Sequence, residues 1–80
     1  MTKIQSMRKS KGFTQRQLAE ITGVSIKTLR EYEVGTRDIN KAAVLTVFRL
    51  SIALNCRMED LLELGAEELA VMDATFREVR

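Results

Sequence analysis

Three glycines, Gly12, Gly23 and Gly35, divide the first half of the chain into pieces of about a dozen residues, and the sequence contains no proline to share that work. With no other strong breaker nearby, each glycine reads as a helix stop. The pieces between them open on side chains suited to capping. Thr2 with Gln5, and Thr14 with Gln17, fit the capping box, in which the threonine accepts from one free amide and the glutamine returns to cap another. Ser25 is a third cap, ahead of Ile26, Leu29 and Tyr32 at three-residue apolar spacing. The pattern predicts helices over about 3–11, 15–22 and 25–33. The first buries Ile4 and Met7, the second Leu18, Ala19 and Ile21. Between the second and third, Ile21-Thr22-Gly23-Val24-Ser25 reads as a tight helical corner with Val24 reaching inward.

The second half continues as helix. From Asp38 or Asn40 a longer segment runs to about Leu54, where Asn55 tolerates the left-handed conformation that ends it. Its apolar residues form two stripes, Leu45/Phe48/Ile52 and Ala43/Val47/Leu50/Leu54, so one face packs on the first three helices and the other needs a second cover. A fifth, short helix over about 58–64 presents Met58, Leu61 and Leu62 inward. After Gly65, Leu69, Met72, Phe76 and Val79 recur at helical spacing. This seam spans about two heptads, too few for an independent coiled coil, so the segment docks or frays. With 80 residues one domain is the limit. The expectation is an all-α fold with a domain over 1–65 and an acidic amphipathic extension over 66–80.

The net charge of +2 conceals a segregation of sign along the chain. Residues 1–49 carry ten basic against four acidic side chains, or +6, and residues 50–80 carry three against seven, or −4. A basic portion suits a polyanion and an acidic end suits another partner. The single cysteine, Cys56, and the absence of histidine leave no internal disulfide, no Cys/His zinc site and no Cys–His nucleophile. No phosphate-binding glycine loop or nucleophile elbow is present, so neither an enzyme nor a metal or other cofactor is expected. Apolar runs reach only four residues, and the basic first dozen residues lead into no apolar signal region, which predicts a cytoplasmic protein.

The most informative stretch is Thr14 to Gly35, TQRQLAEITGVSIKTLREYEVG. It resembles the lambda-repressor-like, Cro-type helix-turn-helix family, the XRE family, with Thr-Gln, Leu-Ala, Gly-Val-Ser and a helix ending in Tyr-Glu and Gly in matching order and spacing. The resemblance continues through Ile52-Ala53-Leu54-Asn55-Cys56 to Met58-Glu59-Asp60-Leu61-Leu62, covering about residues 3–64. Two departures stand out. Gly35 is followed by Thr36-Arg37-Asp38-Ile39 without the proline or serine usual there, and the stretch before Ala53 is about three residues longer.

The resemblance implies a five-helix lambda-repressor-like domain whose third helix enters the major groove of double-stranded DNA. Leu29 and Tyr32 face inward by periodicity, leaving Ile26, Lys27, Thr28, Arg30 and Glu31 as the candidates for base contact. The family's base-reading positions fall on Ile26, Lys27 and Glu31. Ile26 suits a thymine methyl or the core at the turn, Lys27 guanine O6 and N7, and Glu31 cytosine N4 or plain surface. Gln15 matches the family glutamine that binds backbone phosphate and braces the recognition helix, and Arg16, Arg37 and Lys41 are further phosphate candidates. Arg8 and Glu33 match a structural ion pair of the family. Cys56 stands where the family has a core aliphatic, which favours a small buried hydrophobe over a redox sensor.

The function implied is a sequence-specific transcriptional regulator, a repressor of phage, mobile-element or chromosomal type that binds a two-fold operator as a homodimer and associates with the bacterial nucleoid. The seam Leu69/Met72/Phe76/Val79 serves that dimer or folds back on its own chain. An antitoxin whose acidic end wraps a basic toxin is a narrower reading. A protein-interaction module that has lost DNA binding is the competing class, and the +6 portion argues against it.

Overall fold

The computed structural model describes residues 1–79, with side chains described through Asp73. The described residues form five α-helices, α1 (Lys3–Ser10), α2 (Gln15–Thr22), α3 (Ile26–Val34), α4 (Val44–Leu54) and α5 (Ala66–Val79). Two 3-10 turns, Ile39–Lys41 and Met58–Asp60, flank α4, and no strand occurs among the described residues.

Capping decides where the first three helices begin. At α2 the full capping box forms: Thr14 Oγ1 accepts from the Gln17 amide at 3.0 Å and Gln17 Oε1 accepts from the Thr14 amide at 2.9 Å. At α1 only the threonine half forms, with Thr2 Oγ1 accepting from the Gln5 amide at 3.4 Å. The Thr2 hydroxyl instead donates to the Glu33 carbonyl at 3.0 Å, tying the start of α1 to the end of α3. Ser25 caps α3 through the Thr28 amide. The corner between α2 and α3 turns on Gly23, whose φ of +76° is left-handed and whose amide closes onto the Ala19 carbonyl.

Among the described residues, the core takes large side chains from α1 to α4, from the first 3-10 turn and from the chain after the second. Ile4 of α1, Leu18 of α2, Leu29 of α3, Leu50 and Leu54 of α4, and Leu61 after the second 3-10 turn are fully buried. Tyr32, Ile39 and Val47 close the cluster, with Met7, Val24, Met58 and Leu62 packed at its edge. Cys56 is half-buried against this cluster. Desolvation, with Asp60 adding to it against a smaller effect of Lys11, pushes its thiol up, so it stays protonated near neutral pH.

Three sequence expectations are corrected. Ile21 is 59% exposed, and Thr22 takes the inward position beside Leu18 and Ala19. At about 100° per residue, Thr22 falls between Leu18 and Ala19 around the helix, whereas Ile21 lies about 100° away from that direction. The hydroxyl of Thr22 is accommodated by donating to the Leu18 carbonyl at 2.8 Å and accepting from the Val24 amide.

The helix expected from Asp38 or Asn40 to Leu54 is broken. Asp38 caps the Asn40 amide and starts a 3-10 turn, Ile39 anchors that turn in the core, and extended backbone at Ala42 and Ala43 precedes α4. The Asn40 side chain also pairs with the Glu63 backbone in both directions, at 2.8 and 2.9 Å. These long-range bonds hold the turn against the helix propensity of the two alanines. Third, the segment expected as helix over 58–64 is a 3-10 turn at Met58–Asp60 followed by irregular chain.

That second turn is clamped by Arg57 and Asp60. The Asp60 carboxylate accepts from the Arg57 guanidinium and from the Arg57 amide, and these bonds hold it below the usual carboxylate range. A carboxyl whose value is lowered on folding contributes stability that is present above its unfolded value and lost as the pH falls through its folded value. The stability difference between the wild type and Asp60→Asn is therefore expected to hold above a pH of about 4 and to shrink as the pH is lowered further below it, measured by urea unfolding across an acid series; a constant difference would deny the clamp that role.

Candidate nucleic-acid interface

The site is assembled around a buried charge pair. Arg8 of α1 and Glu33 of α3 meet side by side, Nε to Oε2 at 2.7 Å and Nη2 to Oε1 at 3.1 Å. The glutamate side chain is fully buried and that of the arginine is 10% exposed. Each partner makes a further bond nearby: Arg8 Nη1 donates to the Phe13 carbonyl at 2.7 Å, and Glu33 Oε1 also accepts from Gln15 Nε2 at 3.1 Å. Among the described residues no buried side-chain polar atom lacks a partner. The planar guanidinium suits this bidentate arrangement, and full pairing is what makes two buried charges tolerable.

From Glu33 the network runs outward to the surface of α3. Gln15, the first residue of α2, turns its amide nitrogen to Glu33 and its oxygen to Arg30 Nε at 3.2 Å. The inward-facing pair thus sets the amide orientation of Gln15, and Gln15 in turn positions an exposed arginine on α3. The α2 N-terminus adds the amides of Gln15 and Arg16, which lie ahead of the first intrahelical bonds and favour an anion.

The N-terminal turn of α3 stands beside this network. Lys27 is exposed. Ile26 is half-buried and packs against the core, and Thr28 is half-buried with its hydroxyl accepting from Ser25 Oγ at 2.8 Å. Glu31 is half-buried and held by Arg37, whose Nε and Nη2 both donate to Oε1 at 3.1 and 3.0 Å. The loop after Gly35 is folded onto α3 by the same residue, since the Arg37 amide and the Thr36 hydroxyl both bond the Glu31 carbonyl. Arg37 and Lys41 border a cleft of about 380 Å³ that Glu31 and Tyr32 line from the α3 side. Arg16 is exposed on α2.

The structure therefore gathers Gln15, Arg16, Ile26, Lys27, Thr28 and Arg30 around the starts of α2 and α3, with Glu31, Arg37 and Lys41 at the far end of α3. Leu69 is 49% exposed and Met72 half-buried on α5, and Phe76 and Val79 lie outside the residues whose side chains are described. Sequence reasoning did not pair Glu31 with Arg37 or Gln15 with Arg30. Local spacing carries no signal for either, because each depends on how a loop or a second helix is placed.

The helix-turn-helix family model matches residues 4–61, well over half of the chain. The chain belongs to the XRE family of helix-turn-helix proteins. No curated protein and no solved structure matches it. As a member of this family it is a DNA-binding transcriptional regulator that takes double-stranded DNA, a regulatory rather than a typically enzymatic domain. Among the described residues no group of His, Cys, Asp and Glu is placed to hold a metal ion, and no helix is long and apolar enough to cross a membrane.

Removing one side of the buried pair strands the other charge. Arg8→Ala is expected to cost about 3–5 kcal/mol in urea unfolding, whereas the double change Arg8→Met with Glu33→Leu recovers most of that loss. Additive losses in the double variant would show that packing, and not the uncompensated charge, dominates.

Proposed function

We propose that this XRE-family protein is a repressor that binds a two-fold operator as a homodimer, with the N-terminal turn of α3 reading base edges in the major groove. The observation that carries the reading is the chain of bonds from Arg8 through Glu33 and Gln15 to Arg30, which locks α3 to α1 and α2 while Lys27 stays exposed at the start of α3. A recognition helix must be held rigidly to discriminate bases, and each good contact is worth only about 1–3 kcal/mol.

The roles follow from the chemistry of each group. Lys27 donates to guanine O6 and N7, Ile26 offers its exposed edge to a thymine methyl, and Thr28 and Arg30 flank them. Glu31 accepts from cytosine N4. Its pairing with Arg37 supports this, because a neighbouring guanidinium offsets the repulsion between a carboxylate and the phosphates. Gln15, Arg16, Arg37 and Lys41 contact backbone phosphate, Gln15 through the amide hydrogen not given to Glu33. Dimerisation places two such helices one turn apart on DNA, about 34 Å.

Selection from a randomised duplex pool near physiological salt is expected to return a two-fold motif, and a pool without a motif would overturn the reading. Lys27→Ala should then lose about 1–3 kcal/mol at one base pair of each half-site and relax preference there. Arg16→Ala should weaken all duplexes alike and lower the salt dependence by about one counterion per site. Indistinguishable profiles for the two variants would reject the division between base and phosphate contacts.

A further inference from the structure

Two apolar surfaces of this chain are left uncovered, and they differ in charge. The first is a groove of about 310 Å³ between α2 and α4, lined by Ile21, Thr22, Phe48, Arg49, Ile52 and Ala53. Ile21 and Ile52 are 59% and 64% exposed, Phe48 is 48% exposed, and Leu45 continues the strip along α4 at 66%. The second is α5, where every residue from Ala66 to Val71 is exposed, including Leu69 and Val71. Among the described residues, the only charged one lining the groove is Arg49, which has no carboxylate partner there. The charges of α5 over Ala66–Asp73 are all acidic, Glu67 and Glu68 falling in its first turn.

We propose that α5 of one copy lies in the α2/α4 groove of a second copy, and reciprocally, giving a two-fold dimer held by two exchanged helices. This rests on the homodimeric reading above and names its contact. Charge selects the occupant. A second α4 would set Arg49 near another Arg49, whereas α5 brings carboxylates to it and Leu69 to Phe48 and Ile52. Area points the same way. The groove offers only a few exposed apolar side chains, too few alone for the roughly 800 Å² that each partner buries in a standard interface, and the apolar stripe of α5 supplies further area from each copy.

Ile21 lies six residues beyond Gln15 on α2, or about 9 Å along the helix axis, so the groove sits at the opposite end of that helix from Gln15 and Arg16.

The test is sedimentation of the full chain and of two surface variants, Ile52→Glu in the groove and Leu69→Glu on α5, with circular dichroism to confirm that each variant is folded. The wild type is expected to be dimeric, and each variant should raise the dimer dissociation constant by at least about 30-fold. An equimolar mixture of the two variants should recover dimer. The mixed pair keeps one groove and one α5 both unaltered and facing each other, whereas either variant alone has both contacts broken. A dimeric wild type that both variants leave intact overturns this contact while the homodimer stands. Loss of dimer with Ile52→Glu alone means that α4 faces pair with each other and overturns the exchange, as does failure of the mixture to recover. A monomeric wild type overturns the homodimeric reading itself.

Discussion

The attitude in which α3 is presented to solvent depends on the buried pair of Arg8 and Glu33 beside the core packing of Leu29 and Tyr32. Desolvating two charges costs several kcal/mol per ion, which attraction repays only when geometry and hydrogen bonding are complete. Here they are complete: Glu33 takes both nitrogens of the fork as well as Gln15, and Arg8 sends its third bond to the Phe13 carbonyl. Two apolar side chains in their place could match the pair in stability, but they could not orient the amide of Gln15. That amide positions Arg30, so the pair is coupled to the proposed interface by chemistry that a hydrophobic contact does not provide. Thr2, bonded to the Glu33 carbonyl, adds a second tie between the same two helices.

The fold also separates the sign of its surfaces. The starts of α2 and α3 combine free helix amides with Arg16, Lys27 and Arg30, and their acidic neighbour Glu31 is already compensated by Arg37. The acidic residues of the second half lie at the Met58–Asp60 turn, at Glu63 after it and on α5. A uniform mixture with the same net charge would solubilise the chain without directing it.

What the sequence disclosed about this fold was local. Caps at Thr14 and Ser25, the left-handed glycines Gly23 and Gly35, and the inward spacing of Leu18, Leu29 and Tyr32 could be read because each depends on residues three or four apart. The break at Ala42–Ala43 was hidden, since alanines favour helix and the competing bonds reach from Asn40 to Glu63, 23 residues away. Ile21 misled for a related reason. Hydrophobicity alone put it in the core, although the arc set by Leu18 and Ala19 passes through Thr22, whose hydroxyl is buried at little cost by bonding back to Leu18. At the candidate interface, the residue types were legible, and the partners of Glu31 and Arg30 were not. Lys27 is exposed on the surface that periodicity gave it, but Glu31 is engaged by an arginine from the following loop, whose path no local pattern specifies.

Those partners change what a substitution would mean. Arg37→Ala removes a positive charge from the proposed phosphate contacts and also releases the Glu31 carboxylate, so its effect on DNA binding would mix both causes. Arg16 has no such entanglement, which makes it the cleaner probe of phosphate contact. The same logic applies to α5. The first six residues of this 14-residue helix are all exposed and gain little from their own chain, and isolated helices of that length are marginal in water. If its apolar stripe is buried only against a second copy, its helicity and the monomer–dimer equilibrium are one linked process, and helix content rises with protein concentration by mass action.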